Sequence, residues 1–222
     1  MLEAVIFDMD GTLFDTEAIY RKAWYAACEW AKIDDVDKVV NNCTGRNRKD
    51  IRNYFENTFG TDFPFEEFIS VREKAFDKII EDGGIPEKKG MRRCLDYLRK
   101  KKIKIGLATS TNGADTARRL EIAGIADRFD AIVAGDSKQV KNGKPAPDIY
   151  IAAMNALGVT PKSAFAVEDS PNGIRSAVSA GLRTVMIPDM FAPDGEISAM
   201  LWKKLDSLDE LCDMLEAADC DI

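Results

Sequence analysis

Several short runs in this chain are apolar almost without interruption, and nothing else in the sequence narrows the fold as much. Residues 4–7, 103–108, 131–134, 164–167 and 184–187 lack the in-out alternation of a strand with one wet face. Strands that read this way are covered on both sides, as in a parallel sheet flanked by helices. The intervening stretches support that reading. Ile149, Ala152, Ala153, Ala156 and Leu157 recur at helical spacing, and Gly158 supplies a stop. Met91, Leu95 and Leu98 repeat the pattern. Alternating strand and helix signals predict βαβ units, so the expected fold class is α/β with a doubly wound, Rossmann-like parallel sheet.

One interval breaks the alternation. Between residues 16 and 86 no strand signal stands out, whereas Phe65, Phe68, Ile69, Arg72, Phe76, Ile79 and Ile80 follow a helical repeat. An all-helical domain inserted after the first strand is expected, over 16–86, with 1–15 and 87–222 forming the α/β core. Gly83, Gly84 and Pro86 punctuate the return. A helix is expected near residues 208–215 in the acidic tail.

Composition removes whole classes of function. With no histidine in 222 residues, His-based nucleophile relays and His-ligated zinc are excluded, so acid-base work falls to carboxylates, Lys, Tyr or Cys. A formal net charge of -7 disfavours nucleic acid and anionic membranes as partners. No apolar run approaches the roughly 18 residues of a membrane span, and a cytoplasmic, monomeric protein is expected. The five cysteines are scattered and read as reduced packing residues.

Ligands of an open parallel sheet bind beyond the carboxyl ends of its strands. There the first strand delivers Asp8-Met9-Asp10-Gly11-Thr12, the second Thr109-Ser110-Thr111-Asn112, and the fourth Glu168-Asp169-Ser170; the loop after the third carries Lys144. Each has an ordinary reading when taken singly: a turn, a helix N-cap at Ser170, a solvated lysine. Together they offer clustered acids, hydroxyls and an ammonium, an inventory that suits a hard divalent cation and a phosphate. If strand geometry persists, Asp8 and Asp10 share a face.

The segments Asp8-Met9-Asp10-Gly11-Thr12-Leu13-Phe14-Asp15-Thr16, Leu107-Ala108-Thr109-Ser110, Gly143-Lys144-Pro145-Ala146-Pro147-Asp148 and Val167-Glu168-Asp169-Ser170-Pro171-Asn172-Gly173 resemble, in order, the four signature motifs of the haloacid dehalogenase superfamily. Within it, the chain is most similar to the β-phosphoglucomutase-like phosphatases. That resemblance implies a helical cap on the α/β core. It also implies a catalytic set of Asp8 as nucleophile, Asp10 as acid and base, and Thr109 and Lys144 on the phosphoryl oxygens. Thr109, Ser110 and Lys144 would bind the phosphate, and Asp8, the Asp10 carbonyl, Glu168 and Asp169 would hold Mg²⁺. Thr44, Arg48, Trp24 and Arg72 resemble the cap positions that reach substrate; a solvated basic helix is the plainer reading of the arginines there.

The activity so implied is Mg²⁺-dependent hydrolysis of a small phosphomonoester, with a sugar phosphate as the expected substrate and an aspartyl-phosphate as intermediate. Tyr20 stands where β-phosphoglucomutases resemble one another in carrying histidine, which favours hydrolysis over a mutase. A sugar-phosphate mutase and a non-catalytic phosphometabolite sensor are the alternatives.

Overall fold

The structure, a computed structural model, describes residues 2–43 and 48–220. The chain divides into two compact units, one made of Met1–Asp15 and Ile85–Ile222, the other of Thr16–Gly84. The return from the insertion therefore falls at Ile85, two residues before the expected boundary. Asp15 N donates to the Pro86 carbonyl, and Phe14 bridges to Glu87, so Pro86 is tied to the first unit.

In that unit, six strands form one sheet: β1 (Ala4–Phe7), β2 (Lys104–Ala108), β3 (Ala131–Val133), β4 (Ala164–Glu168), β5 (Arg183–Met186) and β6 (Lys203–Lys204). All neighbours are parallel, in the order β3-β2-β1-β4-β5-β6. The order reverses between β1 and β4, which is where an open α/β sheet binds its ligand. The two-residue edge strand β6 has no apolar pattern of its own. It exists because β5 offers a free edge, and only the neighbour's position reveals it.

Both faces of the central strands β1 and β4 are dry, whereas the edge strand β3, expected to be covered on both sides, leaves Ile132 45% exposed because among the described residues no strand or helix covers that side of the edge. Ala4, Ile6, Ala108, Ala164 and Ala166 pack with Ile149, Ala153 and Leu157 of helix α7 (Asp148–Leu157). The alternate residues Val5, Phe7, Phe165 and Val167 point to the other face and are equally buried. This explains the unbroken apolar runs, and burial of a side chain such as Phe7 contributes about 1.5–3 kcal/mol.

The second unit contains α1 (Glu17–Trp30), α2 (Val36–Cys43), α3 (Arg48–Phe59) and α4 (Phe65–Gly83). Its core joins Trp24, Phe55, Phe65, Phe68 and Ile69. The repeat read from Phe65 to Ile80 is the buried stripe of α4, which ends before Gly84 at φ +76°. Among the described residues, no helix is long and apolar enough to cross a membrane. Cys28, Cys43, Cys94 and Cys212 are free and buried.

Candidate active site

The chain leaves β1 at Asp8, whose N–H still donates to Val167 O of β4 at 3.0 Å. It then turns within a few residues: Leu13 and Phe14 N–H both donate back to Met9 O. Gly11 sits at φ +82°, a conformation an L side chain adopts only with strain. A Cβ at Gly11 would also overlap the Asp169 carboxylate, so this loop and the end of β4 touch backbone to side chain. The turn separates the two aspartates by partner. Asp8 faces Lys144 and the acids of β4, whereas the Asp10 carboxylate accepts from Thr111 and from Arg119.

Lys144 is the hub. Its side chain is 7% exposed, and its ammonium donates to Asp8 Oδ1 at 2.5 Å, Glu168 Oε1 at 2.6 Å and Ala108 O at 3.0 Å. All three of its protons are thereby used. The sequence allowed a solvated loop lysine, and the structure places a buried one. Burial works against the charge, but the Asp8 and Glu168 carboxylates outweigh it and hold the ammonium charged well above its usual range.

Glu168 closes β4 and is fully buried. Besides Lys144, its Oε1 accepts from Tyr150 OH at 2.8 Å, and its Oε2 accepts from Asp169 N, Ser170 N and Ser170 Oγ. Ser170 is at the same time the N-cap of α8 (Pro171–Ser179), accepting from Gly173 N at 3.1 Å. Asp169 lies beside it, with Thr12 Oγ donating to its Oδ1 at 3.3 Å.

Carboxylate oxygens of Asp8, Glu168 and Asp169 lie within 4.8 Å of one another. Burial is the main force on Asp8, pushing it up to about 8 with help from Glu168 and Asp10 and against Lys144. Asp169 is raised well above its usual range by burial and by the Glu168 and Asp8 charges. One lysine does not neutralise three such acids. An all-oxygen, electron-rich donor set under this strain fits a hard dication. Among the described residues the Asp10 carboxylate is not part of this cluster.

At the end of β2, Thr109 is buried and its Oγ accepts from Thr111 N at 3.1 Å, while Ser110 is exposed. Of the other expected residues, Thr44 lies outside the described residues, as do Gly45, Arg46 and Asn47. Trp24 is 4% exposed in the core of the helical unit, and the Arg72 guanidinium lies 4.7 Å from its ring centroid. Arg48, whose side chain is 57% exposed, pairs with Glu66 at 2.6 Å.

Three residues at this site were not given roles from sequence. Tyr150 belongs to none of the motifs read from sequence, and its hydroxyl gains a role only through its bond to Glu168 at the end of β4. Arg119 is one of two adjacent arginines in α6 (Gly113–Ile122), and spacing does not tell which turns inward. Thr111 was noted in its loop without a partner.

The sequence matches the haloacid dehalogenase-like hydrolase family over residues 5–187. A curated relative, the phosphorylated carbohydrates phosphatase of Thermotoga maritima, is 33% identical over 195 residues, covering 83% of this chain and 84% of its own. The crystal structure of CbbY from Rhodobacter sphaeroides in complex with phosphate superposes with a TM-score of 0.79 at 29% identity, covering 95% of this chain and 96% of that one. A β-phosphoglucomutase from Clostridium difficile gives a TM-score of 0.76 at 25% identity over 95% of this chain and 93% of its own. On the match to most of its length, the parallel sheet and the acids gathered at the switch point, the chain belongs to the haloacid dehalogenase-like hydrolase family.

Proposed function

We propose that this protein is a Mg²⁺-dependent phosphatase that hydrolyses a small phosphomonoester, a sugar phosphate by preference, through an aspartyl-phosphate on Asp8. The observation that carries the reading is the contact of Lys144 with both Asp8 and Glu168 beside Asp169 at the β1/β4 switch point. The substrate class draws on the relative named for phosphorylated carbohydrates and on the related structure holding phosphate.

Asp8, Glu168 and Asp169, with the Asp10 carbonyl, would hold the cation. A bound Mg²⁺ would supply positive charge to offset the crowded acids, favouring the carboxylate form of Asp8, and would act as a Lewis acid toward the phosphoryl group. The chain's own groups do the rest. A carboxylate oxygen of Asp8 forms a bond to phosphorus as the bond to the leaving oxygen breaks, and Asp10 gives that oxygen a proton. Thr109 and the Ser110 backbone supply donors to the phosphoryl oxygens, and Lys144 joins them by exchanging one of its three present acceptors for a phosphoryl oxygen. In the second half, Asp10 takes a proton from water, whose oxygen bonds to phosphorus; the acyl-phosphate bond breaks, releasing phosphate and regenerating Asp8. In the helical unit, Arg48 and Arg72 are the proposed contacts to the remainder of the substrate, and Thr44 and Trp24 are proposed in the same role. A planar guanidinium suits a second anionic group.

Phosphate release over a panel of sugar phosphates, nucleotides and short-chain phosphoesters tests this, with and without EDTA. Magnesium-dependent turnover of a sugar phosphate is expected. Activity on none of the panel, or activity that survives EDTA, overturns it. The likeness to a β-phosphoglucomutase keeps a second reading in view, in which an acceptor hydroxyl replaces water. Isomerised sugar phosphate forming faster than free phosphate, in the presence of a bisphosphate primer, decides for the mutase.

A further inference from the structure

The carboxylate of Asp10 is held by a residue that the reaction just described does not use. Both of its oxygens accept from one nitrogen, Nη1 of Arg119, at 2.8 and 2.9 Å. Oδ2 also accepts from Thr111 Oγ at 2.8 Å, and that hydroxyl lies 3.4 Å from the same guanidinium nitrogen. The carboxylate thus has two separate anchors, one from the loop after β2 and one from α6.

Exposure separates the roles of the pair. The Asp10 side chain is 21% exposed, whereas that of Arg119 is 7% exposed. The arginine therefore stands behind the acid, and the acid keeps an open side. Placing a guanidinium in so dry a position carries a desolvation cost, which is recovered only where the geometry of its ion pair is good. An ordinary surface ion pair explains neither the burial nor the convergence of two donors on one catalytic carboxylate. Acid-base transfer requires that carboxylate within hydrogen-bond reach of the leaving oxygen, and displacement by about 1 Å can cost about 10²-fold.

We infer that Arg119, together with Thr111, is a positioning residue for the phosphoryl transfer, holding the Asp10 carboxylate in direction from its buried side. The inference rests on the reading of Asp10 as acid and base. It makes a specific demand: losing the anchor harms proton delivery to the leaving group, not substrate binding and not attack by Asp8.

Two esters separate these effects in single-turnover experiments with Mg²⁺. An alkyl phosphate, the best of the panel above, leaves as an alcohol and needs a proton; p-nitrophenyl phosphate leaves as a stable phenolate and does not. In Arg119→Met, first-turnover release from the alkyl ester falls about 10²-fold, while release of p-nitrophenolate stays within about threefold of the unaltered protein. KM for the alkyl ester holds. Arg119→Lys, which keeps a cation but moves it, falls between the two. Thr111→Val, which leaves the arginine in place, shows the same selectivity at about tenfold. Circular dichroism and thermal unfolding confirm that each variant is folded. Equal losses for both esters, a change in KM alone, or no loss in either Arg119→Met or Thr111→Val overturns the inference and leaves the phosphatase reading standing. If the unaltered protein releases product from neither ester, the phosphatase reading falls and takes the inference with it.

Discussion

Gly173→Ala sets helix propensity directly against the site. Gly173 lies in the first turn of α8, and inside a helix alanine normally improves on glycine by roughly 1 kcal/mol. Here a Cβ would overlap all three carboxyl atoms of Glu168. To restore a contact of ~3.5 Å the carboxylate, whose Oε1 would lie 1.9 Å from that Cβ, must retreat by roughly 1.5 Å. It has no free direction, because Lys144 at 2.6 Å, Tyr150 at 2.8 Å, Asp169 N at 3.1 Å, Ser170 Oγ at 3.2 Å and Ser170 N at 3.3 Å already fix it. Losing two of these, at about 1.5–3 kcal/mol each for bonds to a charged group, outweighs the propensity gain. The net change is about 2 kcal/mol or more of destabilisation, which in a chain of this size lowers Tm by about 4–8 °C. Lys144 is carried along with Glu168, so kcat falls by about tenfold or more. Calorimetry and the phosphate-release assay read the two effects. A Tm equal to or above that of the parent with full activity would refute the reasoning, since propensity alone would then govern this position.

Three further outcomes are expected. Asp8→Asn removes the nucleophile and lowers kcat by about 10⁴-fold or more while the chain stays folded; a residual rate within tenfold of the parent contradicts the aspartyl-phosphate route. Because burial pushes Asp8 up to about 8, from an unfolded value of about 3.9, the metal-free fold gains stability from a proton that the unfolded chain does not hold. That gain is complete below about pH 4 and is lost as pH rises through about 8, with Asp169 acting in the same sense. The rise in Tm on adding Mg²⁺ is therefore larger at about pH 8 than at about pH 5, and an equal rise at both speaks against the acid cluster as the cation site. Burial pushes the Cys28 thiol up to about 11, and the cysteines Cys28, Cys43, Cys94 and Cys212 are enclosed. Peptide mapping after iodoacetamide treatment should find these four unlabelled in the native protein and labelled in urea.

What the sequence settled by itself was local in origin. Short apolar runs with no alternation, set between turn signals, mark the strands of a parallel sheet, so β1, β2, β3, β4 and β5 were legible to within a residue. The helical repeat from Phe65 to Ile80 marked α4 in the same way. Acids, hydroxyls and the lysine fell just past those strands, so most of the site's inventory could be read once the sheet was recognised. β6 could not, because a two-residue strand is defined by its neighbour and not by its own residues.

Tertiary structure decided the partnerships. Asp8 and Asp10 look alike in sequence, yet the turn at Gly11 sends one to Lys144 and Glu168 and the other to Arg119, which is 109 residues distant along the chain. Tyr150 became a hydrogen-bond donor to Glu168 only when α7 packed on the sheet. The physical reason is that strand and helix character follow from periodicities within a few residues. Which buried charge meets which depends instead on strand order and crossovers, and these bring together segments whose separation leaves no mark on either one.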